Sequence, residues 1–87
     1  IEAMADAACL AGIPRAAAYN ICSQAVLGSA KLALESPCHV AELKDMVCSP
    51  GGTTIEGVYA LEQGGFRSVV MDSILAAVNK FNEMQSK

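Results

Sequence analysis

The chain has 87 residues, with nine Asp or Glu, six Lys or Arg and one His, which gives a formal net charge of -3. This acidic balance argues against a nucleic-acid binder, whose affinity comes mainly from neutralising phosphates. Hydrophobic residues make up 53% and charged residues 17% of the chain, a composition that excludes intrinsic disorder. Because a domain this small buries only roughly 63% of its unfolded surface, we expect a large exposed apolar patch and a permanent partner, most simply a second copy.

No membrane span or signal peptide is predicted. The longest hydrophobic region, residues 16–34, is interrupted by polar side chains, so no apolar run reaches the roughly 18 residues of a span. No basic segment followed by an apolar run opens the chain. The four cysteines form no CxxC pair and lie in apolar, helical surroundings, so we expect reduced thiols and a cytoplasmic location. Cys38, His39 and Cys48 match no standard zinc spacing, and no metal site is predicted.

Apolar residues recur every three or four positions and strand signals are nearly absent, which predicts an all-α domain of five helices. The first helix opens in mid-pattern at Ile1 and ends before Gly12. Pro14 suits the first turn of a second helix, which continues to about Glu35 and is apolar on most sides. Gly28 costs this helix roughly 1 kcal/mol, and we interpret it as a site where another helix approaches closely.

A short third helix is predicted to begin with Ser36 as its cap and Pro37 as its first residue. Its predicted inner face consists of Val40, Leu43 and Val47. His39 has no evident catalytic partner, so we interpret it as a surface or capping residue.

Two further helices are predicted after the breaker cluster Ser49-Pro50-Gly51-Gly52. The fourth helix is expected to bury Ile55, Val58, Tyr59 and Leu61 and to close at Gly64 and Gly65. The fifth carries an apolar stripe suited to packing against another helix. The stripe consists of Phe66, Val70, Ile74, Ala77, Phe81 and Met84.

The segment 49–56 is the candidate for chemistry. Thr53 and Glu56 have the spacing of a capping box, which would leave the hydroxyl of Thr54 free. Ser49, the glycine amides, Thr54 and the positive end of the helix dipole would then converge on a site for a carboxylate or phosphate. The alternative is an ordinary glycine-containing connection between helices. No acid–base pair for catalysis is evident.

Five segments of the chain resemble the carboxy-terminal domain of pyrroline-5-carboxylate reductase. They are residues 2–8, 12–15, 24–31, 43–56 and 61–67, and the run Ser49-Pro50-Gly51-Gly52-Thr53-Thr54 is the most specific of the matches. The family reduces 1-pyrroline-5-carboxylate to L-proline with NADPH or NADH, the last step of proline biosynthesis. The resemblance implies a five-helix bundle that forms an interlocked homodimer, of the 6-phosphogluconate dehydrogenase carboxy-terminal type, and in some members a decamer built as a pentamer of dimers.

The resemblance also implies that the complete enzyme consists of two domains with different functions. Residues 1–87 would be the helical dimerisation and substrate-binding domain, and the amino-terminal dinucleotide-binding domain would be absent from this chain. We therefore expect the 87 residues alone to have no reductase activity. The competing hypothesis from another class of protein is a stand-alone helical oligomerisation module without catalysis.

Site residues follow from the same resemblance. It implies that Ser49 and the region of Gly51, Gly52 and Thr53 hold the substrate carboxylate. It implies that the Thr54 hydroxyl hydrogen-bonds the imine nitrogen while hydride arrives at the adjacent carbon, which makes Thr54 the candidate catalytic residue. No cofactor-binding residue is assigned.

Overall fold

The structure is a computed structural model that describes residues 1–86. It contains the α-helices α1 (Glu2–Leu10), α2 (Arg15–Glu35), α3 (Val40–Val47), α4 (Thr53–Gln63) and α5 (Phe66–Gln85). No strand occurs in the described residues, so the prediction of an all-α chain with five helices is confirmed. The chain divides into two compact units, the first ending at Lys44 and the second beginning at Asp45.

In the first unit, Gly12 ends α1 as predicted. Its φ of 105° lies in the left-handed region that favours glycine. The amide of Gly12 donates to the carbonyl of Cys9 and the amide of Ile13 donates to the carbonyl of Ala8, both at 3.0 Å. These two bonds form a Schellman motif, which satisfies carbonyls left open at the helix end. The chain can therefore reverse directly into α2.

The α1–α2 hairpin contains the buried residues of the described chain, and all are small. They are Ala5, Ala18 and Cys22, with Ala8, Cys9 and Ile13 packed against them. These small side chains allow α1 and α2 to pack closely.

Arg15 forms an exposed ion pair with Asp6, and this hydrogen bond raises the pKa of the Arg15 guanidinium above its ordinary value. The guanidinium also lies 5.9 Å from the ring centroid of Tyr19, within cation–π range.

We expect Gly12→Ala to lower the free energy of unfolding of the chain by about 1–2 kcal/mol, because a Cβ is strained at positive φ. The Cβ itself would meet nothing within 4 Å, so backbone strain is the source of the loss. Chemical denaturation followed by circular dichroism measures the change. The control is Ala11→Gly, one residue earlier, where φ is -81°. Unchanged stability of G12A would contradict the assignment of this turn as the helix stop.

The start of α3 differs from the prediction. The helix begins at Val40, and His39 rather than Ser36 stands at its cap position, with its Nδ1 accepting the amide of Ala41 at 3.1 Å. The Ser36 hydroxyl instead accepts the amide of Cys38 at 3.1 Å, a local turn that competes with helix formation. The prediction that Ser36 and Pro37 start the helix is therefore wrong by three residues, and the interpretation of His39 as a capping residue is confirmed.

The second unit contains α4 and α5, joined at Gly64 and Gly65 as predicted. Gly65 has a φ of 74° and is the N-cap of α5. Arg67 Nε donates to Glu62 Oε1 across this turn at 2.9 Å. These local contacts fix the connection between the two helices.

No residue between 45 and 86 is fully buried. Tyr59 and Leu61 are 59% and 48% exposed, so the prediction that they are buried is wrong for the single chain, while Ile55 and Val58 are half-buried. The predicted inner face of α3 is likewise exposed at Val40 and Val47. Two helices without a core do not supply enough apolar burial to be stable alone. These faces are therefore available to a partner.

None of the described helices is both long and apolar enough to cross a membrane. The four cysteines carry no disulfide bond in the structure.

Candidate functional site

The segment before α4 forms a tight turn from Ser49 to Gly52. The amide of Gly52 donates to the carbonyl of Ser49 at 3.0 Å, and Gly51 has a φ of 70°. Pro50 and Gly51 occupy the second and third positions, where a type II turn favours proline and requires a residue of positive φ. The turn sets the direction in which the chain enters α4.

The first turn of α4 is capped differently from the prediction. Gly52 is the N-cap, with φ -85° and ψ 177°, and no side chain makes a capping hydrogen bond. Thr53 is already the first helical residue, so the predicted capping box between Thr53 and Glu56 is wrong. The turn places an extended glycine directly before the helix, and the cap position is consequently taken one residue earlier than the sequence pattern indicated.

This change alters which amides could hold an anion. The Gly52 amide is used within the turn, whereas none of the described residues accepts a hydrogen bond from the amides of Gly51, Thr53 or Thr54. The amides of a first helical turn have no partner inside the helix and lie at the positive end of its dipole. The geometry therefore offers a small anion the amides on either side of Gly52.

The hydroxyls of the predicted site are exposed. Ser49, Thr53 and Thr54 are all at the surface, and none of their hydroxyls hydrogen-bonds within residues 1–86. Helix capping therefore does not distinguish Thr54 from Thr53, and the choice of Thr54 as the candidate catalytic residue rests on the family resemblance.

Gly52 lies at a close approach of the backbone. A Cβ at this position would lie 3.2 Å from the Ser49 carbonyl oxygen, which is tighter than most real Cβ contacts, and 3.5 Å from the Ser49 Cβ, which is an ordinary contact. The turn therefore favours glycine at two positions for different reasons, which are the positive φ of Gly51 and the close backbone contact at Gly52. The Pro50-Gly51 pair within the predicted breaker cluster is the sequence signal for this turn.

The structure brings all the predicted site residues together, because they are consecutive in the turn and the first turn of α4. His39 caps α3 and is not part of this arrangement. Within residues 1–86 no three His, Cys, Asp or Glu side chains cluster in a way that could hold a metal ion. The site is thus built from backbone amides and hydroxyls at a helix start.

Comparison with known proteins identifies relatives over the whole described chain. The family model for pyrroline-5-carboxylate reductase dimerisation matches residues 1–84. The chain is 56% identical over 84 residues to the pyrroline-5-carboxylate reductase of Escherichia coli, covering 97% of the chain and 31% of that protein. It is 48% identical over 87 residues to the reductase of Methanosarcina acetivorans, covering 100% of the chain and 32% of that protein.

Solved structures show the same fold. The pyrroline carboxylate reductase of Plasmodium falciparum, solved with NADP bound, matches with a TM-score of 0.87 and 37% identity, over 91% of this chain and 32% of that one. The reductase of Coxiella burnetii matches with a TM-score of 0.88 and 39% identity, over 94% and 30%. The chain thus spans about a third of the length of these relatives. It belongs to the pyrroline-5-carboxylate reductase dimerisation family.

Proposed function

We propose that this chain is the dimerisation and substrate-binding domain of a pyrroline-5-carboxylate reductase, which reduces 1-pyrroline-5-carboxylate to L-proline with NADPH or NADH. The observation that carries the proposal is the start of α4. It presents amides without a partner and exposed hydroxyls directly after a hydrogen-bonded turn, in a chain whose relatives are named as this reductase. Such a helix start suits a carboxylate substrate without needing a Lys or Arg.

In this proposal the loop binds and orients the substrate. The substrate carboxylate accepts hydrogen bonds from the Gly51 and Thr53 amides and from the Ser49 hydroxyl, while Gly52 keeps the turn closed. The Thr54 hydroxyl donates to the imine nitrogen. This hydrogen bond draws electron density from the C=N bond, so the adjacent carbon becomes a better hydride acceptor. Hydride from the cofactor would add to that carbon and a proton from solvent to the nitrogen, which gives the secondary amine.

A nicotinamide cofactor would supply the hydride, and the Plasmodium falciparum relative is described with NADP bound. The described residues contain no strand followed by a glycine-rich turn and a helix, the unit that holds a dinucleotide in Rossmann domains. We therefore assign none of these residues to the cofactor and place its binding mainly in an amino-terminal domain outside this chain.

The dimer is the second part of the proposal. The matching family is one of dimerisation domains, and residues 45–86 lack a buried core. A second copy would cover the exposed apolar faces of α4 and α5, in the interlocked arrangement that the resemblance implies. Assembly of dimers into a decamer and a cytoplasmic location stay predictions.

The function is tested by assaying NADPH oxidation with 1-pyrroline-5-carboxylate, using the full-length protein that contains this chain. We expect substrate-dependent oxidation and formation of proline. Absence of both would favour the alternative of a helical oligomerisation module without catalysis.

Ser49→Ala in the full-length enzyme is expected to raise the KM for 1-pyrroline-5-carboxylate by about tenfold or more, because it removes a hydrogen bond to a charged group. We expect kcat to change little, since the carboxylate keeps its charge during the reaction. The control is Ser73→Ala on α5, whose hydroxyl bonds the carbonyl of Val70 at 2.7 Å. Equal KM values for the two variants would remove Ser49 from the binding site.

A further inference from the structure

His39 caps the start of α3 through two hydrogen bonds. Its carbonyl accepts the amide of Leu43 at 3.0 Å, which is the first bond of the helix, and its Nδ1 accepts the amide of Ala41 at 3.1 Å. Ala41 is the second residue of α3, so the ring takes the place that a hydroxyl or carboxylate oxygen has in a usual N-cap. The reaction proposed above uses neither of these bonds.

An imidazole can accept this bond in only one protonation state. Because Nδ1 is the acceptor, the neutral ring of His39 carries its proton on Nε2. A protonated ring donates at both nitrogens, so it no longer accepts the Ala41 amide. It also places a positive charge at the positive end of the helix dipole. Both effects act against α3, and histidine is the side chain whose charge ordinarily changes between about pH 5 and 8.

The charged groups beside His39 do not replace the lost bond. Within residues 1–86 the helices that pack extensively on one another are α1 with α2 and α4 with α5, so the groups to consider are those close to His39 in the chain. They are Glu35 at the end of α2 and Glu42, Lys44 and Asp45 within α3. None of them forms an ion pair with His39 in the described residues. Exposed carboxylates attract an imidazolium only weakly, and carboxylic acids and lysines ordinarily change charge outside the range in which histidine does.

Helix α3 has little besides its cap to stabilise it within the chain. It is eight residues long and contains no buried residue. A helix this short is marginal without packing, because the first turn costs more than each later residue. Loss of a typical N-cap bond shifts the equilibrium between helix and coil by about fivefold. Protonation of His39 is therefore expected to open α3 along its whole length rather than at its first residue alone.

The end of α3 leads directly into the candidate site. The Cys48 amide donates to the Asp45 carbonyl at 3.2 Å, which closes the last turn of the helix, and the turn Ser49–Gly52 follows at once. This turn is thus flanked by α3 on one side and by α4 on the other. Opening of α3 removes the first of these two supports, so the Ser49 hydroxyl and the Gly51 amide lose their fixed positions.

We propose that His39 makes α3 a pH-sensitive element, which supports the turn Ser49–Gly52 at neutral pH and releases it on acidification. The sign follows from the geometry. The neutral ring caps the helix, so α3 is ordered above the pH at which the ring titrates and opens below it. The change in α3 goes beyond the proposed function, whereas its effect on substrate affinity rests on that function.

Hydrogen exchange of the full-length protein, read by mass spectrometry on peptides that cover residues 40–47, tests the change in α3. With labelling times corrected for the pH dependence of intrinsic exchange, we expect protection of these amides to fall at least about threefold from about pH 7.5 to about pH 5.5. The matched control is His39→Asn, whose side-chain oxygen caps a helix without titrating. We expect this variant to be equally protected at both pH values and His39→Ala to be poorly protected at both. Equal protection of the wild type at the two pH values, or an equal loss in His39→Asn, would overturn the inference.

Steady-state kinetics of the full-length enzyme tests the step from α3 to the turn. The ratio of the KM for 1-pyrroline-5-carboxylate of the wild type to that of His39→Asn is expected to be close to unity at about pH 7.5 and to rise about threefold at about pH 5.5. Titration of the substrate itself acts on both proteins and cancels in the ratio. A ratio that does not change with pH would overturn the coupling of α3 to the turn. A wild type without reductase activity would instead reject the proposed function, and the exchange experiment would still decide whether α3 responds to pH.

Discussion

Thr54→Ala in the full-length enzyme is expected to lower kcat for 1-pyrroline-5-carboxylate reduction by about 30- to 1,000-fold. This range corresponds to the loss of about 2–4 kcal/mol from a hydrogen bond that strengthens in the transition state. The hydroxyl is exposed and has no hydrogen bond within the described residues, so its removal leaves no buried polar group behind. Steady-state NADPH oxidation measures the change, and we expect KM to move much less than kcat.

Two neighbouring substitutions separate chemistry from structure. Thr54→Ser keeps the hydroxyl and is expected to retain most of the turnover. Thr53→Ala keeps the backbone amide proposed to bind the carboxylate, so its loss of kcat is expected to be far smaller than that of Thr54→Ala. Comparable losses at Thr53 and Thr54, or full turnover of T54A, would show that the Thr54 hydroxyl does not act on the imine nitrogen.

Phe81→Asp is expected to convert the 87-residue chain from a dimer into a monomer with reduced helix content. Phe81 is 60% exposed in the single chain, and the proposed dimer buries it. The substitution removes roughly 1.5–3 kcal/mol of apolar burial and places a carboxylate in a desolvated interface, which adds several kcal/mol. Because residues 45–86 have no buried core of their own, dissociation and loss of structure are expected together.

Sedimentation velocity at micromolar concentration and circular dichroism follow the two effects. The control is Asn79→Asp, which introduces the same side chain two residues away on the opposite face of α5. We expect N79D to stay dimeric with wild-type helix content. A dimeric F81D chain would show that the stripe on α5 is not part of the interface.

The helices and their ends were largely predictable because the decisive signals are local. Gly12 ends α1 with a positive φ, and Gly65 also has a positive φ in the connection between α4 and α5. α2 ends at Glu35, as predicted, and the residue after it is extended before a proline, which is the ordinary conformation at that position. These features depend on a few adjacent residues, so spacing and residue type were sufficient.

The helix starts were less predictable because several residues can serve as caps. At α3, Ser36 has the residue type of a cap, but its hydroxyl is used in a local turn and His39 takes the position. At α4, Thr53 has the residue type, but the turn from Ser49 places Gly52 there. Competition of this kind is decided by backbone geometry over four or five residues, which a pattern of residue types does not contain.

The sequence by itself determined an all-α chain, an apolar surplus that one copy cannot bury, and membership of a family. Only the tertiary structure decided where the surplus lies and which groups of the candidate site are open. It showed that the Gly52 amide donates its hydrogen bond to Ser49 within the turn and that Tyr59 and Leu61 are exposed. The physical reason is that composition and periodicity fix how much apolar surface a helix has, whereas burial and hydrogen-bond partners depend on what the folded backbone brings against it.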